Sequence, residues 1–133
     1  MAMAMSKLST CTRAHHGAII TVDGIVVSTG YNGAGRGLPH CIEVGCHISS
    51  DSKRCERSIH AETNAIVNAG RAVSGGTLYV TGEPCERDAV LIVQSQIKRV
   101  VYPAGSSYFT DDALREEVKN WYKLAEIRVD RHT

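Results

Sequence analysis

The run Gly17-Ala-Ile-Ile-Thr-Val22, then Asp23-Gly24, then Ile25-Val-Val-Ser-Thr29, limits the fold more than any other stretch of this chain. Both flanks are rich in β-branched residues, whose stiff side chains suit a pleated strand. Asp-Gly between them supplies the backbone freedom that a tight hairpin turn needs. An antiparallel pair is therefore expected over residues 17–22 and 25–29. The period then changes. Apolar Ile59, Ala61, Ala65, Ile66 and Ala69 fall on one face of a helix over residues 58–69, and Gly70 is placed to end it. Residues 77–81 read as a strand, residues 85–95 as a helix with Pro84 at its start, and residues 98–102 as a strand. Residues 111–124 read as an amphipathic helix whose acidic Asp111 and Asp112 suit the positive end of its dipole. A last short strand is expected over residues 126–130, and a short helix from Ser6 to about His15. A hairpin followed by alternating helix and strand implies an α/β sandwich on a mixed sheet, because strand–helix–strand crossovers pair in parallel.

Two stretches resist a periodic reading. Residues 30–37 hold four glycines and are expected to form a loop. Residues 38–57 are polar and cysteine-rich, and a loop of that length in a compact domain is usually functional or tied by a metal. The 133 residues fit one domain, residues 1–133, with residues 1–6 expected as a disordered start. Net charge is +1, with Lys and Arg scattered in ones and twos, which argues against a phosphate-tracking surface and for a small-molecule substrate over a nucleic acid. No apolar run reaches the roughly 20 residues of a membrane span, and the N-terminus lacks the pattern of a signal peptide. Five cysteines, an odd number, read as thiols and metal ligands in a reducing cytoplasm.

The chemistry concentrates in His60-Ala61-Glu62 and in Pro84-Cys85-Glu86-Arg87-Asp88. His60 and Glu62 fall in the first turn of one helix. Cys85 and Asp88 lie one turn apart on the next, so both can point at one metal. A zinc ion there would polarise a water for attack on an amidine-like ring carbon, with Glu62 moving the proton. Three readings of Asp88 stand side by side: a carboxylate ligand, a solvated helix residue in an altered site, or a bystander while another thiol, foremost Cys55, completes the shell. A second cluster, Cys41, Cys46 and Cys55 with His40 and His47 beside it, reads either as a structural zinc site or as idle buried thiols. The fourth ligand of the first reading is His40, His47 or Cys11. His15-His16 reads as packing or a helix end.

These residues together resemble the deoxycytidylate (dCMP) deaminases of the cytidine deaminase superfamily. The likeness runs from about Ser9 to Tyr108. It rests on Ser9-Thr-Cys-Thr-Arg13 with Gly17-Ala-Ile, on Gly30-Tyr-Asn-Gly leading to Leu38-Pro-His-Cys41 and Cys46, and on Cys55. Downstream, Ile59-His-Ala-Glu62, Thr77-Leu-Tyr-Val-Thr81, Pro84-Cys85 and Ile97-Lys-Arg-Val-Val-Tyr102 complete it. The resemblance implies a three-layer α/β/α sandwich with a mixed five-stranded sheet, and zinc-dependent hydrolysis of dCMP to dUMP and ammonia by attack at C4, with Glu62 as proton shuttle. It implies metal ligands His60 and Cys85, with Asp88 where the family has a second Cys, and substrate contacts from Asn32, Arg13, Ala61 and Tyr108. A guanidinium suits a 5′-phosphate in two-pronged fashion. It also implies a homo-oligomer, commonly a hexamer, and nucleotide effectors dCTP and dTTP. Three departures are Asp88, Ala14-His15 in place of basic residues, and Gly35-Arg36 in place of Pro-Ser. They leave two other readings open: a deaminase of a modified cytosine nucleotide or another heterocycle, and a catalytically silent nucleotide-binding deaminase fold.

Overall fold

The structure, a computed structural model, describes residues 1–11, 14–50, 55, 57–106, 109 and 111–132. The hairpin forms from β1 (Gly17–Val22) and β2 (Ile25–Tyr31), paired antiparallel, with Asp23 at φ 53° and Gly24 at φ 77° making the turn. β2 runs past its expected end through Gly30 and Tyr31, and packing explains the glycine. A Cβ at Gly30 would meet the Ala61 carbonyl oxygen at 2.3 Å and the Ala65 nitrogen at 2.6 Å, so its absence lets α3 (Ala61–Ala69) lie directly on β2. The expected loop after β2 contains a short strand, β3 (Gly33–Ala34). It pairs antiparallel with β4 (Ser58–Ile59), so Ser58 and Ile59 are strand rather than the first helical residues. Among the described residues between them is a short helix, α2 (Cys41–Val44).

The remaining elements alternate as expected: β5 (Thr77–Val80), α4 (Glu86–Gln94), β6 (Arg99–Pro103), α5 (Asp112–Leu124) and β7 (Arg128–His132). The last strand starts at Arg128 because Glu126 sits at φ 58° in the preceding turn and Arg128 pairs with Arg99. Strand order is β2-β1-β5-β6-β7, antiparallel from β2 to β5 and parallel from β5 to β7, a mixed five-stranded sheet. Strand alternation sends Ala18, Ile20, Leu78, Val80, Val100 and Tyr102 to one face, where Ala61 and Ala65 of α3, Ala89 and Ile92 of α4, and Val118 and Tyr122 of α5 close the core.

Helix α1 (Ala2–Ser6) lies on the opposite face, where Gly17 admits it: a Cβ there would meet the Ala2 carbonyl oxygen at 2.1 Å. Three layers result, with the second helical layer thin. Residues 1–6, expected as a disordered start, thus contain a helix, and the helix expected from Ser6 to His15 ends at Ser6. The reason lies in competing hydrogen bonds. Thr10 N and Ser9 Oγ both donate to the Asn32 carbonyl oxygen, and His16 N donates to Asn32 Oδ1, so the chain after α1 is fastened to the end of β2 instead of to itself. Among the described residues no helix is long and apolar enough to cross a membrane.

Candidate active site

Parallel β5 ends at Val80, and the turn that follows delivers Cys85 to the N-cap of α4, while β4 delivers His60 to the N-cap of α3. Both helix N-termini therefore meet beyond the carboxyl end of β5, where positive dipole ends favour anionic ligands. His60 Nδ1 lies 2.9 Å from Asp88 Oδ2 and 3.7 Å from Cys85 Sγ, and Cys85 Sγ lies 3.1 Å from the same carboxylate oxygen. Asp88 is 2% exposed and Cys85 is 8%. Asp88 is therefore not a solvated helix residue. Together Cys85 and Asp88 also form a capping box: Cys85 Sγ accepts from the Asp88 backbone, and Asp88 Oδ2 accepts from Cys85 N at 3.3 Å. Thr63 Oγ1 donates to the other Asp88 oxygen at 3.4 Å, a contact from α3 that the sequence does not advertise.

The charges follow from this geometry. Burial by itself pushes the Asp88 carboxyl up, but the His60 hydrogen bond and charge, with the Cys85 contacts, bring it below its usual range. His60 is pushed up to about 11, chiefly by the Asp88 hydrogen bond and then by Cys85. Glu62, in the first turn of α3 and buried, is pushed up to about 8 by burial and then by the Asp88 charge. His16, half-buried with Nδ1 3.4 Å from Thr81 Oγ1, is held down by burial and by the field of His60. It thus belongs to the electrostatic surroundings of the site rather than to a helix end.

The three donors suit zinc. An imidazole, a thiol and a carboxylate are all accepted zinc ligands, and their atoms all lie within 4.8 Å of one another. Bonds of about 2.0–2.3 Å at tetrahedral angles put ligand atoms about 3.3–3.8 Å apart. The His60–Cys85 separation of 3.7 Å already meets that spacing. The two separations to Asp88 need to open by about half an ångström, within the reach of a carboxylate rotation.

Other expected site residues fall in different places. Asn32 is buried, with Oδ1 accepting from His16 N at 2.8 Å and Nδ2 donating to the Ala14 carbonyl at 2.8 Å, so its amide shapes the 14–16 segment. Ala61 is fully buried in the core and offers the site its backbone only. Arg13 and Tyr108 lie outside the described residues. Cys55 does not join His60 but gathers with Cys41 and Cys46, their sulfurs within 4.8 Å of one another. Cys41 Sγ and Cys55 Sγ are 3.7 Å apart, and His40 Nδ1 is within 2.9 Å of Thr10 Oγ1. Burial pushes Cys41 up to about 12. Burial acts in the same sense on Cys55, but backbone hydrogen bonds from His47, Ser58 and Arg57 bring it down to about 7.

A buried glutamate beside converging His and Cys donors at two helix N-termini, on a mixed α/β sheet, resembles the layout of a zinc-dependent deaminase, with a carboxylate, Asp88, where that layout has a second cysteine. The chain belongs to the cytidine and deoxycytidylate deaminase zinc-binding region family, which matches residues 1–104. It is 39% identical over 117 residues to the deoxycytidylate deaminase of Mycobacterium phage D29, covering 80% of this chain and 91% of that protein. It is 41% identical over 107 residues to ComE operon protein 2 of Bacillus subtilis, covering 75% of this chain but 56% of that longer protein. Its fold matches the crystal structure of dCMP deaminase from cyanophage S-TIM5 in complex with dCMP and dUMP, at TM-score 0.77 and 26% identity, over 98% of this chain and 90% of that one.

Proposed function

We propose that this protein hydrolyses dCMP to dUMP and ammonia, with Zn²⁺ held by His60 Nδ1, Cys85 Sγ and one Asp88 carboxylate oxygen. The observation that carries this reading is the convergence of those three donors beside a buried Glu62. Bound zinc supplies Lewis acidity, which lowers the pKa of a water toward neutrality. Glu62 would take one proton of the water that attacks C4 of the cytosine and pass it to ring N3. It would then collect the second proton from the new C4 hydroxyl and deliver it to the amine, so that the C4–N bond breaks, ammonia leaves and the C4 carbonyl forms. A carboxyl pushed up to about 8 is mostly protonated at neutral pH, and a cation at the three donors would oppose that shift and free it to act as a base. Asp88 is a harder donor than the thiolate it replaces, which makes the metal a stronger Lewis acid and a looser guest.

dCMP as substrate is supported by the relatives that carry that activity in their names and by the S-TIM5 structure bound to dCMP and dUMP. In this reading Asn32 keeps its second Nδ2 hydrogen and remaining Oδ1 lone pair for the sugar or base, Arg13 is assigned to the 5′-phosphate and Tyr108 to the base or the phosphate, and the Ala61 backbone lines the ring pocket. The Cys41, Cys46 and Cys55 cluster, whose sulfurs lie within 4.8 Å of one another, takes a second, structural zinc. A homo-oligomer, by resemblance a hexamer, control by dCTP and dTTP, and a cytoplasmic setting complete the proposal.

The test is a panel of nucleotides offered to the zinc-loaded protein: dCMP, cytidine and a 5-substituted dCMP. Equimolar dUMP and ammonia from dCMP, lowered about 10²–10⁴-fold in Glu62→Gln, is the expected result. Ammonia from the 5-substituted nucleotide but not from dCMP would reassign the substrate. None from any of them, with zinc bound, would exclude these cytosine substrates and leave another heterocycle or a silent fold.

A further inference from the structure

The turn that presents Cys85 is fastened from behind by three side chains outside the donor set. Glu83, two residues before Cys85, is buried. Its Oε2 accepts the Tyr102 hydroxyl at 2.9 Å and Arg115 Nε at 3.3 Å, and its Oε1 lies 3.1 Å from the same Nε. The Glu83 backbone N–H donates to the Ser106 carbonyl at 3.2 Å. Pro84 between Glu83 and Cys85 is less than 2% exposed and restricts the chain further. One residue is thus tied at once to β6, to the segment after β6 and to the first turn of α5.

The pattern is more demanding than ordinary packing. Among the described residues Glu83 Oε1 is buried without a hydrogen bond of its own, and the Arg115 guanidinium 3.1 Å away balances its charge. A buried carboxylate that loses the guanidinium paired with it must take up a proton or turn out to water. Either response frees the Glu83-Pro84 segment, and with it the N-cap position from which Cys85 Sγ reaches His60 and Asp88. Neither partner touches the donors directly. Tyr102 and Arg115 act through Glu83, as outer partners act on metal ligands elsewhere.

We propose that Glu83, Tyr102 and Arg115 form a positioning network that sets the place of the Cys85 sulfur and thereby the grip on the metal. This rests on reading Cys85 as a zinc ligand, so its test needs one arm that does not depend on zinc. In the first arm, zinc-loaded wild type, Arg115→Ala, Arg115→Lys, Glu83→Gln and Tyr102→Phe are challenged with a chelator, and zinc release is followed. In the second, each metal-free protein is alkylated with iodoacetamide, and labelling at Cys85 is resolved by peptide mass spectrometry against buried Cys11. Thermal melting of the metal-free proteins runs alongside, and Glu83→Gln and Tyr102→Phe, which keep side-chain shape, carry the test should Arg115→Ala not fold.

The expected result is zinc release and Cys85 labelling both faster by about tenfold or more in Arg115→Ala and Glu83→Gln, with Cys11 unchanged and Arg115→Lys restoring part of the effect. Lower melting temperatures with Cys85 labelling and zinc release unchanged would overturn the proposal and leave the network a merely structural one. A wild type that holds no zinc at these donors, yet whose Cys85 labelling still responds to the variants, would uphold the positioning role and refute the donor set instead.

Discussion

One oxygen of Asp88 serves two structures at once. Oδ2 accepts the Cys85 backbone N–H as part of a helix cap, and the same atom faces His60 Nδ1 and Cys85 Sγ. Asp88→Ala removes both roles. It should cost about 1 kcal/mol as a lost cap and reduce zinc affinity by more than the ~10–100-fold typical of losing an outer partner, read by denaturant titration and by zinc analysis after dialysis. Asp88→Cys should keep the metal and some activity, since the offset from Cys85 is unchanged; metal content of Asp88→Ala equal to wild type would remove Asp88 from the ligand set. Glu62 gives a pH signature. Its folded pKa of about 8 stands above the ordinary 4.5, so the stability it contributes is complete below 4.5 and is lost as pH rises through about 8. His60, pushed up to about 11 from 6.5, begins a further loss only above 6.5, and Asp88, held below 3.8, is ionised throughout. His16, held below 6.5, acts in the opposite sense below that pH, so the Glu62 contribution is read as a difference. Between about pH 5 and 8 the melting temperature of chelated wild type should decline with pH relative to that of Glu62→Gln, and two parallel profiles would contradict the assignment. His60, Glu62, Cys85 and Asp88 are legible in the sequence because each pair is local, two or three residues apart. Glu83 is not, because its partners Tyr102 and Arg115 stand 19 and 32 positions downstream and nothing local distinguishes them.

At the scale of elements, α3 is positioned by what β2 lacks. The missing side chain at Gly30 brings the helix down onto the strand, and the N-cap of that helix is His60. Gly30→Ala should cost about 1–3 kcal/mol by overpacking, seen as a lowered urea midpoint. It should also weaken zinc binding, because the helix can only yield by moving; a variant as stable as wild type would show that α3 does not rest there. The hairpin was readable because β-branched flanks and Asp23-Gly24 act within a dozen residues, and α5 because its Asp111 cap accepts from Ala113 N and Leu114 N as the acidic start suggests. β4 was not, since Ser58 and Ile59 take their strand character from Gly33 and Ala34, some 25 residues earlier. α1 is not legible in the sequence either: five residues have no helical period to show, and its place depends on Gly17 across the chain.

Across the whole molecule, the order β2-β1-β5-β6-β7 turns two separate sequence motifs into one site. The alternation of helix and strand foretells the mixed sheet, but not which strand lies at its centre, and β5 at the centre is what sets α4 beside α3. The same arrangement keeps Cys41, Cys46 and Cys55 together away from His60, so two metals are expected to behave independently. Wild type should carry about two zinc ions per chain, and Cys55→Ser should lose one while retaining the ion at His60; a variant with unchanged zinc would mean that the three thiols are idle. Whether His60, Cys85 and Asp88 share one zinc ion beside Glu62 is read from an anomalous difference map at the zinc edge, collected from crystals of the zinc-loaded protein. The expected peak lies about 2.3 Å from Cys85 Sγ, about 2.0–2.1 Å from His60 Nδ1 and about 2.0–2.2 Å from an Asp88 oxygen. A map with no peak among these three atoms, or with a peak that leaves Asp88 bonded only to His60 and the Cys85 backbone, would contradict a shared ion.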